Sequence, residues 1–440
     1  MESTLITIIA VLLAGLATSL AVAMYFYASK SMPAFVFAAI LLYSMGSKQI
    51  SVIYLDLVPT YVSESGSWTY WSGASIRVFL AHSTIILGVV SCIIFGTLVI
   101  SKLLKAWRED YSESTNYKIW MTFCGGCLGI QFVNLAMSSS LAFPGMAATR
   151  YDFWDTYARF PILVSIFGEL MAFVPLVVAV CLISANARQD QFWRFFAYLV
   201  IGFYCVFLLS TGQRFHGLLL AFGPAFGIWV LEQFRVQSKL ITTRRLLVSL
   251  TLGASLFCYA IFDFSTRRIA DEHGSGLSAL TYRVFALQGQ VLWNVDALVS
   301  ASGPRGNLSD LNDGMDSLME LIMPRELYSR FETTGVNLST GLPAITMYIF
   351  GFWKGLVPLF IYGLVEGLVF MICYIAYLRR SGSISLFASY IWIWCNAVYA
   401  SSTIKPLLDW KFPVFAGIAI ILICLPKFSI NLSSPLRKPR

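Results

Sequence analysis

The 440-residue sequence is 58% hydrophobic and only 12% charged, and its mean hydropathy is +0.72. Soluble globular chains are about half apolar and about a quarter charged, so this chain carries about half of their usual charge. No hydrophilic block is large enough to form a soluble domain. The composition therefore excludes a soluble enzyme, a nucleic-acid-binding protein and a disordered chain. It predicts a polytopic membrane protein.

Apolar segments of about 20 residues, the length that crosses a bilayer as a helix, recur along the chain. They predict an all-α fold, a single membrane domain over 1–440 with eleven transmembrane helices near 5–27, 34–54, 78–100, 119–137, 160–185, 195–211, 215–231, 246–262, 355–377, 384–400 and 412–426. Of the 31 Lys and Arg residues, 17 lie on one side and 14 on the other, six of these in one long loop. Short basic loops stay in the cytoplasm, so we expect an external N-terminus and a cytoplasmic C-terminus.

The longest hydrophilic segment is the predicted external loop at 263–340, between the eighth and ninth spans. Long loops in compact proteins are usually functional. All six of its basic residues are arginines, whose guanidinium groups bind phosphate or carboxylate through two hydrogen bonds: Arg267, Arg268, Arg283, Arg305, Arg325 and Arg330. They could bind an anionic ligand, or they could pair with the ten acidic residues of the loop, among them Asp296.

Two further patterns belong to this loop and to the segment that follows it. Apolar residues between Leu277 and Val299 approximate helical spacing, which indicates an amphipathic helix at the membrane surface or a helix packed inside the protein. Such a surface helix would place Arg283 and Gln288 near the lipid headgroups. The apolar stretch 341–353 is too short to cross the membrane, and we expect an interfacial or re-entrant segment there.

The turn Thr211-Gly-Gln-Arg-Phe-His-Gly217 joins the sixth and seventh predicted spans. Only three residues separate the two apolar runs, so Arg214 is expected at or just under the external surface. A charged residue at membrane depth is costly and therefore suggests function, although an Arg at a helix end also snorkels toward the headgroups. His216, one residue into the next span, is interpreted as structural.

Four other ionisable residues fall within predicted spans, and Arg77 directly precedes one. Lys48 and Arg77 lie near the external ends of theirs, and we interpret both as snorkelling side chains. Glu169 and Glu366 each need an internal partner, and the basic residues near the spans are candidates. His82 is expected to make a hydrogen bond within the bundle.

Aromatic and acidic residues alternate between the fourth and fifth predicted spans. Flat rings stack on pyranose sugars and carboxylates accept bonds from hydroxyl groups, so this segment suits a sugar-binding wall. An interfacial aromatic belt explains the same residues. The candidates are Arg150, Tyr151, Asp152, Trp154 and Asp155.

Several motifs of familiar chemistry do not occur in the sequence. It has no Gly-rich phosphate loop, no His-Glu-x-x-His, no paired Cys-x-x-Cys motifs and no Asp-x-Asp. The nine cysteines all fall inside apolar segments, and we interpret Cys124 and Cys127 as packing residues. We therefore expect no metal, no cofactor and no disulfide framework.

The whole pattern resembles the bacterial O-antigen polymerase (Wzy) and O-antigen ligase superfamily. The features that carry the resemblance are the eleven-span layout with one late external loop, the Ser210-Thr-Gly-Gln-Arg214 turn, the run Arg267-Arg268, Arg283 and Gln288-Gly289, and the segment from Gly341 to Gly355. The resemblance implies a GT-C-like membrane glycosyltransferase of the bacterial inner membrane with its active site facing the periplasm. It also implies partners, namely the lipid bilayer, undecaprenyl-diphosphate-linked oligosaccharides and a chain-length regulator protein.

The implied reaction transfers the growing glycan from undecaprenyl diphosphate to a repeat unit on its own lipid, without metal or nucleotide. Arg214, Arg267, Arg268 and Arg283 are the expected diphosphate ligands, because fixed cations stabilise charge that develops on a leaving group. His273 is the first candidate for the general base, followed by Glu272 and Asp271. The ligase branch has its base candidate late in the loop, whereas His273 stands close after the arginines, so the base stays open.

Three other functions are compatible with the sequence. An O-antigen ligase that transfers the glycan to lipid A core differs only in its acceptor. A flippase or transporter of lipid-linked oligosaccharide usually shows internal repeats and mid-membrane charge pairs, while the cations here cluster at the external face. An acyltransferase lacks a recognisable membrane-embedded His motif in this chain.

Overall fold

A computed structural model describes residues 32–62, 65–107, 117–142, 153–160, 170–211, 215–236, 285–286, 289–313, 316–334, 341–401 and 404–424. The predicted first and eighth spans lie outside these residues.

The described chain is almost entirely helical. The first half contains α1 (Met32–Leu57), a hairpin of β1 (Tyr61–Val62) and β2 (Ser67–Trp68), α2 (Ala74–Trp107), α3 (Tyr117–Ala136), a π-helical turn (Phe153–Tyr157), a 3-10 turn (Leu170–Phe173), α4 (Val174–Ala187), α5 (Gln191–Ser210) and α6 (Phe215–Val236). The second half contains α7 (Gln290–Ser302), α8 (Asp310–Asp313), α9 (Asp316–Ile322), α10 (Arg325–Thr334), α11 (Ala344–Leu378), α12 (Gly382–Ser401), α13 (Lys405–Leu408) and α14 (Lys411–Cys424).

Length and composition identify the membrane helices. Four helical segments are long and apolar enough to cross a membrane, namely Ala74–Val99, Tyr117–Ala136, Gln191–Ser210 and Ala344–Leu378. Large apolar side chains also point away from the protein, as on α5, where Phe192, Phe195 and Tyr198 are each more than 60% exposed. Spans of this length and an apolar surface of this kind are typical of a helical membrane protein. The number of spans and their orientation remain predictions.

Helices α2 and α11 pack backbone against backbone through glycines. A Cβ atom at Gly363 would overlap the carbonyl oxygen of Ile85, and one at Gly88 would meet the carbonyl oxygen of Phe360. One turn further along α11, a Cβ at Gly367 would lie 2.8 Å from the Val89 carbonyl oxygen. Small residues four apart allow this close approach in membrane helices, where van der Waals packing replaces the hydrophobic effect.

Helix α11 is interrupted near its beginning. Gly351 has φ 74° and ψ 174°, so the residues before it form a short helical piece that is separate from the long span. A residue with a side chain would be strained at this φ. The segment predicted as interfacial or re-entrant contains this piece, and its residues from Gly341 to Ile349 are buried.

The described residues of the predicted external loop gather at one end of the bundle. The backbone N–H groups of Arg305 and Gly306 both donate to the carbonyl oxygen of Tyr348, each at 3.1 Å. The backbone N–H of Ile404 donates to the carbonyl oxygen of Leu311 at 2.8 Å. We call this end of the bundle the loop-bearing end. It contains α7 to α10, the β1–β2 hairpin and the helix ends that contact them.

Candidate functional site

A buried carboxylate joins three elements at the loop-bearing end. Asp56, in the last turn of α1, is 5% exposed. Its Oδ1 accepts from the Ser72 backbone N–H at 3.2 Å, the Ser72 hydroxyl at 3.1 Å and the Trp293 indole Nε1 at 3.1 Å. Its Oδ2 accepts from the backbone N–H of Ser75 at 2.7 Å. The carboxylate therefore caps the N-terminus of α2, where the helix dipole favours negative charge, and ties it to α7.

The second charged element of the site is an ion pair between α2 and α7. Arg77 donates from Nε to Oδ1 of Asp296 at 2.7 Å and from Nη2 to Oδ2 at 2.6 Å. Nη2 also donates to the Ser72 carbonyl oxygen at 2.6 Å. The Asp296 side chain is 1% exposed and that of Arg77 is 29% exposed. Three bonds in one plane fix the guanidinium group rigidly.

Burial raises the pKa of the Asp296 carboxyl above its ordinary value, while the hydrogen bond and the charge of Arg77 act in the opposite direction. Within the described residues, Nη1 of Arg77 has no hydrogen-bond partner.

Two corrections to the sequence interpretation follow. Arg77 does not snorkel, because it pairs with Asp296, and Lys48 is 6% exposed and therefore buried as well. Asp296 was expected to pair with arginines of its own loop or to leave them free for a ligand, yet its partner is Arg77 in the first turn of α2. The sequence gives no local signal for this pair because its two residues are 219 positions apart.

The start of α7 is held tightly against α1. The Ser51 hydroxyl donates to the carbonyl oxygen of Ala286 at 2.9 Å and accepts from the backbone N–H of Gly289 at 2.7 Å. A Cβ at Gly289 would lie 2.6 Å from the backbone nitrogen of Val52, so only glycine fits there. For the described part of the predicted amphipathic helix, the packing interpretation is confirmed, since Leu292, Trp293 and Val295 are buried.

A series of hydrogen-bonded polar side chains extends from this junction into the bundle. Gln49 donates from Nε2 to the Ser75 carbonyl oxygen at 2.9 Å, and its Oε1 lies 3.3 Å from Nδ1 of His82. The expected hydrogen bond of His82 within the bundle is thus confirmed. Two buried atoms of the same junction, Ser75 Oγ and Gln290 Oε1, have no hydrogen-bond partner among the described residues. A buried polar atom without a partner is costly.

Four large aromatic side chains project from the hairpin beside this junction. Tyr61 and Trp68 are cross-strand partners, with ring centroids 5.7 Å apart. They are 49% and 65% exposed, while Tyr70 and Trp71 are 57% and 38% exposed. The ring of Tyr70 packs edge-on against Trp293 at 5.2 Å. Tyr70 therefore contacts the residue whose indole N–H binds Asp56.

Glu366 forms a separate cluster inside the bundle. It is fully buried in α11, where its Oε1 accepts from Asn396 Nδ2 at 3.1 Å and its Oε2 from Cys395 Sγ at 2.9 Å. The hydroxyl group of Tyr362 donates to the Cys395 carbonyl oxygen at 3.0 Å. The internal partner expected for Glu366 is thus present, but these partners are neutral rather than cationic.

Most of the predicted site residues lie outside the described residues. These are Arg150, Tyr151, Asp152, Arg214, Arg267, Arg268, Asp271, Glu272, His273 and Arg283, together with Glu169. Trp154 and Asp155 belong to the π-helical turn Phe153–Tyr157, and only the backbone of these two residues is described. Their grouping into one site stays a prediction. Among the described residues, no group of three His, Cys, Asp or Glu side chains could hold a metal ion.

The hairpin rings, Asp56 and Asp296 were missed by sequence reasoning. The dense run Tyr61 to Trp71 was a usable signal, since four aromatic residues in a short connection between two spans are conspicuous.

Residues 308–416 match a family described as "Family of unknown function (DUF6418)". The matched segment contains α11, α12 and the Glu366 cluster, but not Asp56, Arg77 or Asp296. No curated protein and no solved structure matches the chain.

Proposed function

We propose that the protein is a membrane glycosyltransferase that joins lipid-linked oligosaccharide repeat units at the loop-bearing face. The growing glycan would be transferred from undecaprenyl diphosphate to a new repeat unit, and undecaprenyl diphosphate would be released. The observation that carries the proposal is the guanidinium group of Arg77. It is held by Asp296 and Ser72, and no described residue forms a hydrogen bond with its Nη1 nitrogen.

The chemistry needs such a group. The acceptor hydroxyl oxygen attacks the anomeric carbon, the bond from that carbon to the diphosphate oxygen breaks, and the diphosphate departs with the bonding electrons. Negative charge grows on the diphosphate during this step, so a preorganised cation stabilises the transition state more than the ground state. Arg77 is preorganised because its bonds to Asp296 and Ser72 leave the guanidinium little freedom.

The remaining roles are assigned from the sequence. Arg214, Arg267, Arg268 and Arg283 would complete the diphosphate site, and Arg283 is only two residues from Phe285, which precedes the anchored start of α7. His273, or else Glu272 or Asp271, would accept the proton of the acceptor hydroxyl. A bacterial inner membrane, a periplasmic active site and a chain-length regulator protein as partner belong to the same proposal.

The test replaces Arg214, Arg283 and Arg77 individually with Ala and with Lys in a host that makes the matching glycan. The lipopolysaccharide ladder is read on a gel and the membrane abundance of each variant is measured. We expect both replacements to collapse the ladder to core plus one repeat unit, since Lys cannot reproduce the two-point bonding of Arg. Arg305→Ala is the matched control, because Arg305 is an exposed arginine of the predicted external loop that also contains Arg283.

Other outcomes separate the competing functions. Loss of all repeats from the core, with the protein still abundant, would favour a ligase or a flippase. An unchanged ladder in abundant variants would remove these arginines from the mechanism and contradict the proposal.

A further inference from the structure

Helices α3 and α5 both begin at the end of the bundle opposite the loop-bearing end. Helix α11 runs from the loop-bearing end to this one, and α12 begins at Gly382, four residues after α11 ends. A Cβ at Gly382 would overlap the ring of Trp120, in the first turn of α3. The hydroxyl group of Tyr117, the first residue of α3, donates to Oδ2 of Asp190, which directly precedes α5. The starts of the two helices therefore meet at this end.

Cationic side chains gather around aromatic rings where the two helices meet. Nζ of Lys118 lies 5.9 Å from the ring centroid of Tyr117, and the guanidinium carbon of Arg188 lies 5.6 Å from the same centroid. Nζ of Lys118 is also 5.9 Å from the ring of Trp193. Arg194 belongs to the first turn of α5. Since the face of an aromatic ring attracts positive charge, the rings hold Lys118 and Arg188 near each other.

A single carboxylate faces these three cations. Oδ2 of Asp190 lies 3.3 Å from Nζ of Lys118. No other acidic residue occurs in the segments 117–120 and 188–194. We call Lys118, Arg188, Arg194 and Asp190 the basic cluster. Its positive charge exceeds its negative charge, and the Lys118 side chain is 49% exposed while Arg188 and Arg194 are half-buried. The excess positive charge is therefore accessible from outside the protein.

Exposed apolar side chains next to the basic cluster indicate what lies against it. Ile119 follows Lys118 directly and is 68% exposed, and Phe192 and Phe195 in α5 are 67% and 64% exposed. The helices that carry them are both long and apolar enough to cross a membrane. Acyl chains are the medium that covers such side chains in a membrane protein. Lipid headgroups adjoin the acyl chains where the spans begin, which is the level of the cations.

We propose that the basic cluster binds the phosphate group of an anionic phospholipid, with Lys118 and Arg188 as its ligands and the acyl chains along Phe192 and Phe195. An ammonium group and a guanidinium group both donate hydrogen bonds to phosphate oxygens. An anionic headgroup supplies the negative charge that the cluster lacks, whereas a zwitterionic headgroup has no net charge to offer. Basic residues at a membrane surface select anionic lipids for this reason. The inference does not depend on the proposed function.

The experiment measures lipid binding to the full chain in non-ionic detergent micelles by native mass spectrometry. The probes are phosphatidylglycerol, which is anionic, and phosphatidylcholine with the same acyl chains, which is zwitterionic. The wild type should bind phosphatidylglycerol more tightly. Lys118→Gln and Arg188→Gln should each weaken phosphatidylglycerol binding about fivefold, the usual contribution of one cation near a charged lipid surface. Neither change should alter the binding of phosphatidylcholine.

Asp190→Asn provides a change of the opposite sign. Asparagine caps a helix as well as aspartate does, so α5 keeps its cap while the carboxylate that competes for Lys118 is removed. Phosphatidylglycerol binding should become several-fold tighter. A damaged fold does not produce tighter binding, and the melting temperature of each variant without added lipid checks the fold. Arg305→Gln, at an exposed arginine of the loop-bearing end, is the matched control and should bind both lipids as the wild type does.

Three results would overturn the inference. The first is equal affinity of the wild type for the two lipids. The second is unchanged phosphatidylglycerol binding in the Lys118, Arg188 and Asp190 variants, or a loss in Arg305→Gln as large as that in Lys118→Gln, which would indicate unspecific attraction to a basic protein. The third is displacement of the lipid by an equal concentration of glycerol phosphate, since the site would then recognise a soluble phosphate ester and not a phospholipid.

Discussion

Arg77 and Asp296 are 219 residues apart in the sequence, and their side chains form a two-point ion pair with nitrogen–oxygen distances of 2.7 Å and 2.6 Å. The pair is the only described ion pair that links a membrane span to the long external loop. It therefore couples the position of α7 to the end of the bundle. The stability of the loop-bearing end should depend on it.

Replacement of either partner alone should destabilise the protein. Arg77→Ala or Asp296→Ala leaves a charge in a largely buried place, which costs about 2–4 kcal/mol. The double variant Arg77→Met with Asp296→Leu should lose less than either single change, because no unpaired charge remains. The measurement is thermal unfolding in detergent micelles. Lys118→Ala serves as control, since the Lys118–Asp190 pair is more exposed, at 49% and 24%, and exposed ion pairs contribute little to stability. Equal losses of thermal stability in Arg77→Ala and Lys118→Ala would contradict this prediction.

The glycine contact between α2 and α11 should tolerate no side chain. Gly363→Ala forces the two helices apart because its methyl group would meet the Ile85 carbonyl oxygen. We expect a loss of about 1–3 kcal/mol, as for other overpacked sites. Gly126→Ala is the control, since a Cβ at Gly126 meets nothing within 4 Å. Yields and melting temperatures in micelles would test this, and a Gly363→Ala variant as stable as Gly126→Ala would show that the helices do not pack as described.

The carboxyl group of Glu366 should be replaceable by an amide but not by an alkyl group. Glu366→Gln keeps an oxygen that accepts from Asn396, so its effect on unfolding should be small. Glu366→Leu removes the acceptor from Asn396 and Cys395 in a buried place and should cost about 1–3 kcal/mol. Glu320→Leu, at an exposed position of α9, should change stability by less than about 0.5 kcal/mol. Equal stability of Glu366→Gln and Glu366→Leu would show that the hydrogen bonds of this carboxyl group do not stabilise the fold.

Asp190, between α4 and α5, should make the stability of the fold depend on pH. The Tyr117 hydroxyl donates to it at 2.9 Å, and this bond, with smaller contributions from Lys118 and the Trp193 backbone, holds the pKa of Asp190 below its ordinary value. A carboxyl whose pKa is lower in the folded state stabilises the fold above its ordinary pKa and loses that contribution as pH falls through the folded value. Melting curves between pH 6 and about pH 3 should therefore show a smaller acid-induced decrease for Asp190→Asn than for the wild type. Tyr117→Phe should lie between the two, and an Asp190→Asn variant with the wild-type acid profile would contradict the assignment.

Sequence reasoning succeeded where the signal was local. The hydrogen bond of His82 was expected because a histidine one turn inside a span needs a polar partner, and Gln49 provides it. Glu366 was expected to have an internal partner for the same reason. The nature of that partner was not predictable, since Asn396 lies on another helix.

Sequence reasoning failed where two distant segments meet. Arg77 near the end of a predicted span has the local pattern of a snorkelling side chain, and nothing nearby in the sequence indicates Asp296. The aromatic residues of the hairpin likewise have the pattern of an interfacial belt. The contact of Tyr70 with Trp293 depends on how α7 packs against α1.

The sequence by itself predicted a helical membrane protein, because uninterrupted apolar runs of about 20 residues cross lipid as helices that satisfy their own backbone hydrogen bonds. The polar clusters were decided by tertiary structure alone. Asp56, Arg77 and Asp296 come from three separate elements, and buried charges remain stable only where folding brings their partners within hydrogen-bond distance. Pairing between residues so far apart in the sequence produces no periodic pattern that sequence analysis can detect.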